Sequence, residues 1–145
     1  MPSATYNKFN QFAADLANKV HNLAADVFKL MLVNVAPLPT NAVYTDVSGG
    51  ELVGGNGYIT GGITVTIISS IQTGGVEKWL VSLPAPTWTA AGGSMGPFRY
   101  LVLYNTTPVI KPLIAWFDYG GSLTLSLGQP FTAAPDPING ILQLS

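Results

Sequence analysis

The first third of the chain has an amphipathic pattern. Large apolar residues recur at steps of three and four positions, with polar residues between them: Phe9, Phe12, Ala13, Leu16, Val20 and Leu23. This spacing predicts one apolar helical face. Ser3 or Thr5 can supply an N-cap oxygen, and the pattern ends near Leu23. We therefore expect an N-terminal amphipathic helix over residues 5–23.

The pattern changes at residue 27. Residues 27–33 are rich in strand-forming side chains, and Pro37 and Pro39 stop any continuing helix or central strand. We expect one buried strand here, with extension of the helix through Met31 as the alternative. Residues 34–62 have the Gly, Pro, Asn and Thr content of a long loop. A loop of that length usually has a function or a partner.

Beyond Gly62, short apolar runs alternate with turn sequences at near-regular spacing. The runs cover residues 63–68, 76–83, 87–90, 98–105, 113–118, 123–127 and 141–144. Such spacing is typical of antiparallel sandwiches and barrels. We predict a single mainly-β domain over residues 1–145, with residues 27–145 forming a jelly-roll-like antiparallel β-sandwich of about eight strands.

Two of these runs are apolar on both faces, namely 98–104 and 112–117. By contrast, residues 63–67 and 123–127 alternate between apolar and hydroxylated side chains, which predicts one buried face. A strand buried on both faces needs a second cover. We expect either the N-terminal helix or a neighbouring subunit to provide it.

The charged fraction is unusually low. It is 9%, against about 25% in typical soluble domains, with 48% hydrophobic residues and a net charge of −1. The charge balance argues against nucleic-acid binding, and no long uncharged apolar stretch predicts a membrane span. A surface with so few charges predicts contact with another protein.

Few residues are suited to catalysis or to binding a cofactor or metal. The chain has no cysteine and one histidine, His21, which we interpret as a packing or surface residue. Gly54 to Gly62 matches no phosphate-binding pattern and is interpreted as a mobile or interface loop. We expect no enzyme activity, no cofactor and no metal.

Some side chains nevertheless suggest alternatives. The carboxylate pairs worth testing for hydrolysis are Asp118 with Glu77 or with Asp46, although Asp118 more simply binds turn amides. Arg99, the only arginine, suits aromatic stacking, an ion pair between subunits or a solvated position. A sugar-binding platform is possible on the aromatic residues Trp79, Trp88, Trp116, Tyr100, Tyr104 and Tyr119, with core packing as the alternative.

Several segments together resemble a known family. They are Tyr6-Asn-Lys-Phe-Asn-Gln-Phe, Asp15-Leu-Ala-Asn-Lys-Val-His-Asn-Leu, Phe28-Lys-Leu-Met-Leu-Val-Asn-Val-Ala-Pro-Leu-Pro-Thr-Asn-Ala, Gly55-Asn-Gly-Tyr, Gly96-Pro-Phe-Arg-Tyr-Leu-Val-Leu-Tyr-Asn and Asp118-Tyr-Gly. They resemble small virion structural proteins encoded among the structural genes of tailed bacteriophages. By analogy of fold and size, the resemblance implies a capsid cement or decoration protein on the capsid exterior.

Several expectations follow from that resemblance. The partner would be the major capsid protein. Separately, the open edges of a sandwich can pair with a neighbour's strands, so we expect a dimer or trimer. The start of the sequence has no secretory leader pattern, so we expect synthesis in the host cytoplasm. Alternatives are a tail or head–tail connector component and a carbohydrate-binding module. On position and loop exposure, we select Phe9, Phe12, Tyr58 and Arg99 as interface residues.

Overall fold

The chain is mainly β. A computed structural model describes residues 4–81, 85–134 and 142–144, with 46% strand and 12% helix. The helices are α1 (Asn10–Ala17) and α2 (Tyr44–Val47), followed by a 3-10 turn at Ser48–Gly50. The described strands are β1 (Thr5–Lys8), β2 (Phe28–Val33), β3 (Ile63–Val65), β4 (Ile67–Thr73), β5 (Val76–Val81), β6 (Thr87–Thr89), β7 (Met95–Asn105), β8 (Leu113–Leu125), β9 (Pro130–Thr132) and β10 (Leu142–Leu144).

The strands pair in antiparallel sheets. The largest sheet has five strands in the order β1-β8-β7-β2-β3, a second has the order β10-β5-β4, and β6 pairs with β9. The prediction of a mainly antiparallel β protein is therefore confirmed. The described strands group as five, three and two, and not as the two four-stranded sheets of a simple eight-stranded jelly roll. Residues 82, 83 and 141 of the predicted runs lie outside the described residues.

One face of the five-stranded sheet contributes to the main core, which also includes side chains from the two smaller sheets and from α1. Trp79 on β5 meets Phe28 on β2 edge to face at 4.6 Å, and Phe98 on β7 meets Phe131 on β9 at 5.2 Å. Phe12 of α1 belongs to the same cluster. Aromatic pairs in these arrangements join separate sheets in one apolar interior.

The opposite face of the five-stranded sheet has a core of its own. This second core consists of Phe9, Met31, Val33, Val47, Val102, Tyr104, Leu113 and Trp116, with Tyr44 and Tyr100 packed against it. The cover was expected from the N-terminal helix or from a neighbouring subunit. Instead, Tyr44 and Val47 of α2 provide it, together with Phe9. The stretch predicted as a long loop thus contains the helix that covers this face.

The N-terminal helix prediction was wrong in its bounds. Residues 5–8 form β1, which pairs with the edge of β8, and the helix covers only Asn10–Ala17. The chain reverses after the helix at Lys19, whose φ is +62°. Edge pairing on β8 satisfies the backbone of β1, so tertiary structure outweighs the local helical pattern.

The predicted turn at Gly120–Gly121 lies inside one long strand. Tyr100 faces Asp118 while Phe98 faces Leu123, so four residues of β8, 119–122, lie opposite one residue of β7, Arg99. Gly120 has a φ of +94°, which other residues rarely adopt. The glycines therefore form a bulge that extends β8, where a turn would have ended it.

Candidate functional site

Three of the four interface residues selected from the sequence lie in the interior. Phe9 and Phe12 are fully buried and Tyr58 is 2% exposed. Each fills a core, because a large ring gains most by leaving water. Only Arg99 keeps an exposed side chain, at 39%. A partner that contacts this fold without opening it reaches Arg99 and not the three rings.

Arg99 is paired within its own chain. Its Nε donates to Asp118 Oδ1 at 2.8 Å and its Nη2 donates to Asp118 Oδ2 at 3.0 Å. The guanidinium also lies 5.3 Å from the ring centre of Tyr100. The Gly120 amide donates to Asp118 Oδ1 at 2.8 Å. Asp118 was expected to bind turn amides, and the amide that it binds belongs to the bulge inside β8. Arg99, and then that amide, hold the pKa of Asp118 below its ordinary value.

A second polar cluster surrounds Glu51. The hydroxyls of Tyr44 and Tyr58 each donate to one of its carboxylate oxygens at 2.7 Å, and the Gly61 amide donates at 2.5 Å. Tyr58 Oη also accepts from the Leu32 amide at 3.2 Å. We call Tyr44, Glu51, Tyr58 and Gly61 the Glu51 cluster. It fastens the stretch between β2 and β3 to the five-stranded sheet.

The tyrosines of this cluster are poor acids. Burial raises the pKa of Tyr44 to about 12, with hydrogen bonding and charge from Glu51 adding to the effect. Burial is also the main cause of the raised pKa of Tyr58. Both hydroxyls therefore remain protonated donors to the carboxylate near neutral pH. The arrangement is suited to holding a loop in place and offers no activated nucleophile.

His21 is the centre of a third cluster. It is 5% exposed, and its Nδ1 lies 3.1 Å from Nδ2 of Asn105, a fully buried residue at the end of β7. Asn105 Nδ2 also donates to Asp26 Oδ2 at 2.6 Å. A cleft of about 510 Å³ lies against His21, and its lining includes Lys19 and Glu77. The described residues hold no group of three or more His, Cys, Asp or Glu side chains that could bind a metal ion.

Four of the six aromatic residues considered for a sugar-binding platform are buried, and the other two, Tyr100 and Tyr119, are partly buried. Trp79, Trp88 and Trp116 are 1%, 4% and 9% exposed, and Tyr104 is 2% exposed. Their faces pack against other core side chains. Core packing, the alternative given for these residues, is what the structure shows for them.

The carboxylates considered for hydrolysis have separate partners. Asp118 binds Arg99, Ser70 donates to Glu77, and Asp46 accepts from the backbone amides of Ala42 and Val43 at 2.8 and 3.1 Å. They lie on three different elements: β8, β5 and α2. Hydrolysis by paired carboxylates needs two of them across one cleft. The cleft beside His21 contains Glu77 alone of the three.

Exposed apolar side chains gather at one end of the five-stranded sheet. Val27 precedes β2, and its backbone is hydrogen-bonded to Thr106 and Thr107 in the β7–β8 connection. The Tyr44 amide donates to Lys111 O in that connection, and the Leu113 amide at the start of β8 donates to Ala42 O. We call the exposed side chains here the apolar end; they are Val27 at 49%, Leu38 at 59%, Val109 at 96% and Ile110 at 60% exposed.

The opposite end of the sheet carries an open cleft. It has a volume of about 430 Å³ and lies between the residues after β2, the glycine-rich segment 49–56 and the start of β7. Val35 and Val53 line it and are 63% and 85% exposed. We call it the glycine cleft. Val27 and Val35 flank β2, so a rise of about 3.3 Å per residue separates the two ends by roughly 20–25 Å.

Comparison of the chain with protein-family models, with curated proteins and with solved structures finds no match in any of the three. Among the helices of the described part, none is both long and apolar enough to cross a membrane.

Proposed function

We propose that this chain is a non-enzymatic structural protein of a tailed-bacteriophage virion, a capsid cement or decoration protein that binds the major capsid protein and stabilises the head. The observation that carries the proposal is the presence of exposed apolar side chains at both ends of the five-stranded sheet, in the apolar end and in the glycine cleft. The resemblance in the sequence supplies the virion setting. The head exterior, a homodimer or homotrimer and the jelly-roll-like sandwich belong to the same proposal.

Two separated apolar surfaces suit a protein that bridges neighbours. Burying a valine or isoleucine side chain stabilises a contact by about 1.5–3 kcal/mol. One such contact at each end is weak alone, but many copies on one shell sum through multivalency. A chain with 9% charged residues also presents few groups that must be desolvated without a partner.

The polar clusters fit a mechanical role. The Glu51 cluster and the Arg99–Asp118 pair each tie neighbouring segments of the chain together. The hydroxyls that face the Glu51 carboxylate belong to tyrosines whose raised pKa values keep them protonated near neutral pH. In this proposal the protein makes and breaks no covalent bond, and it binds neither nucleic acid nor a cofactor.

The first test is the copy number of the protein in purified, DNA-filled particles, by quantitative mass spectrometry against the major capsid protein. We expect on the order of hundreds of copies, because cement proteins act through many equivalent sites. About six or twelve copies would indicate a ring in the tail or connector instead. Absence from the particle would overturn the structural role and return the carbohydrate-binding alternative to consideration.

The apolar end gives a sharper test. The double variant Val109→Asp, Ile110→Asp is expected to weaken binding to capsids that lack the protein by about tenfold or more, because it places charge in a desolvated contact. Its unfolding free energy should change by less than about 0.5 kcal/mol, since both side chains are exposed. Capsid binding is measured by co-sedimentation and stability by denaturant titration.

The matched control is Ile71→Asp on β4, a half-exposed apolar residue outside both ends of the five-stranded sheet. It is expected to bind capsids like the unmodified protein. Equal binding by the double variant would show that the apolar end is not a contact surface.

A further inference from the structure

The His21 cluster joins the N-terminal part of the chain to the five-stranded sheet. Residues 18–26 connect α1 to β2, and both His21 and Asp26 in this connection meet the side chain of Asn105 at the end of β7. The Trp79 indole also donates to Leu23 O at 2.8 Å. These contacts hold the 18–26 connection against the core.

The Asn105 amide has a fixed orientation. Its Oδ1 accepts from the Thr107 amide at 3.0 Å, and its Nδ2 donates to Asp26 at 2.6 Å. The atom that faces His21 Nδ1 is therefore the NH2 donor, so Nδ1 must be the acceptor. A neutral imidazole with its proton on Nε2 satisfies this requirement. Rotating the amide to accept from a protonated Nδ1 would break both other hydrogen bonds.

The charged side chains around His21 come from α1, from the 18–26 connection and from β5. Asp15 of α1 is 8% exposed and accepts from Gln11, while Asp26 accepts from both Asn105 and the Asn22 amide. Lys19 and Glu77 line the neighbouring cleft. Burial lowers the pKa of His21, and it outweighs the opposing attraction of Asp15 and Asp26. Within the described residues, Nε2 has no hydrogen-bond partner.

We propose that His21, Asn105 and Asp26 form an acid-sensitive latch, in which proton uptake at His21 Nδ1 places two donors face to face and releases the 18–26 connection from β7. The latch is independent of the proposed virion role. Opening of the latch separates Leu23 from the Trp79 indole, so that the two residues no longer shield each other from solvent.

The direction of the pH effect follows from proton linkage. The open form binds a proton at the ordinary histidine pKa of about 6.5, and the closed form binds it only at lower pH. The closed form is therefore fully favoured above pH 6.5 and loses its advantage as the pH falls below that value. Because one proton is taken up, the opening equilibrium rises by up to about tenfold per pH unit in that window.

The first experiment uses the fact that the chain has one histidine. An NMR titration of the intact protein between pH 8 and 5 follows the imidazole nitrogens without assignment ambiguity. We expect the Nε2–H tautomer above pH 6.5 and a pKa below 6.5. A pKa above 6.5, or an Nδ1–H tautomer in the neutral form, would overturn the latch.

Hydrogen exchange then measures the release itself. The Val20 amide donates to Asp15 O and the Asp26 amide to Asn22 O. Between pH 7.5 and 5 we expect their protection factors, corrected for intrinsic rates, to fall by up to about tenfold per pH unit below 6.5. Amides in the centre of β7, such as that of Val102, should not change. Constant protection at Val20 and Asp26, or an equal fall at Val102, would overturn a local release.

The matched variant is His21→Asn, whose amide oxygen takes the place of Nδ1 as an acceptor and does not titrate. It is expected to keep Val20 and Asp26 protected down to pH 5. In Asn105→Asp, the new carboxylate accepts from Nδ1–H, so the His21 pKa should rise above 6.5. Should that variant fail to fold, His21→Asn still decides the question, since pH-dependent protection in it would contradict the proposal.

Discussion

Trp79→Ala is expected to lower the free energy of unfolding by about 3–5 kcal/mol, the range for removing a large aromatic side chain from a close-packed interior. Trp79 is 1% exposed and packs edge to face on Phe28. Its ring is a direct contact between the sheet containing β5 and the five-stranded sheet, so the cavity would lie between two sheets. Denaturant unfolding followed by circular dichroism measures the loss.

Trp79→Phe separates packing from hydrogen bonding. It keeps an aromatic ring but removes the indole donor to Leu23 O. We expect an intermediate loss that includes about 1 kcal/mol for the hydrogen bond. An alanine variant within about 1 kcal/mol of the unmodified protein would contradict the described packing of β5 against β2.

Glu51→Ala is expected to lower the free energy of unfolding by about 3–4 kcal/mol. Hydrogen bonds to charged groups contribute about 1.5–3 kcal/mol each, and their losses are not additive within one network. The substitution removes the acceptor of three donors, among them the hydroxyl of the buried Tyr58. An unsatisfied buried donor carries its full desolvation cost. The free energy is again read from denaturant unfolding.

Glu51→Gln is the matched control for this cluster. Its amide oxygen still accepts, but its NH2 group faces donors, so we expect a smaller loss than for alanine. Amide exchange at Gly61 should become faster in both variants because its acceptor is weakened or lost. Equal stability of Glu51→Ala and the unmodified protein would show that the Glu51 cluster does not hold the stretch between β2 and β3.

The strands were the most predictable part of the fold. Residues 28–33 and 98–105 are predominantly apolar runs, and both form strands that are largely buried on both faces. A run that is apolar on both faces lacks period-two alternation, and it indicates a strand through its short length and the turn sequences around it. The prediction that the helix begins at residue 5 was wrong, because residues 5–8 form a strand only through pairing with β8. The prediction of a turn at Gly120–Gly121 was also wrong, because a pair of glycines is typical of bulges as well as of turns.

The polar clusters were less predictable. Asp118 was expected to bind turn amides; it binds the Gly120 amide of the bulge, and its pairing with Arg99 depends on the register between β7 and β8. Glu51 was not selected at all, because residues 44, 51 and 58, although seven positions apart, lie in a stretch of Gly, Pro, Asn and Thr with no regular periodicity that would place them on one face. The three meet only once the chain folds back over β2. Such clusters are properties of tertiary structure, which local patterns do not encode.

The pairing of β1 with β8 means that β1 can fold only after β8 has been synthesised. Thr5 faces Asp118, so β1 has no partner until most of the chain has left the ribosome. At about 5–20 residues per second, that interval lasts roughly 5–20 s. During it, Phe9 and Phe12 lack the strand that later covers them, in a nascent chain with few charges to keep it apart from others. A translation pause before residue 113 is therefore expected to prolong the time in which this chain needs a chaperone.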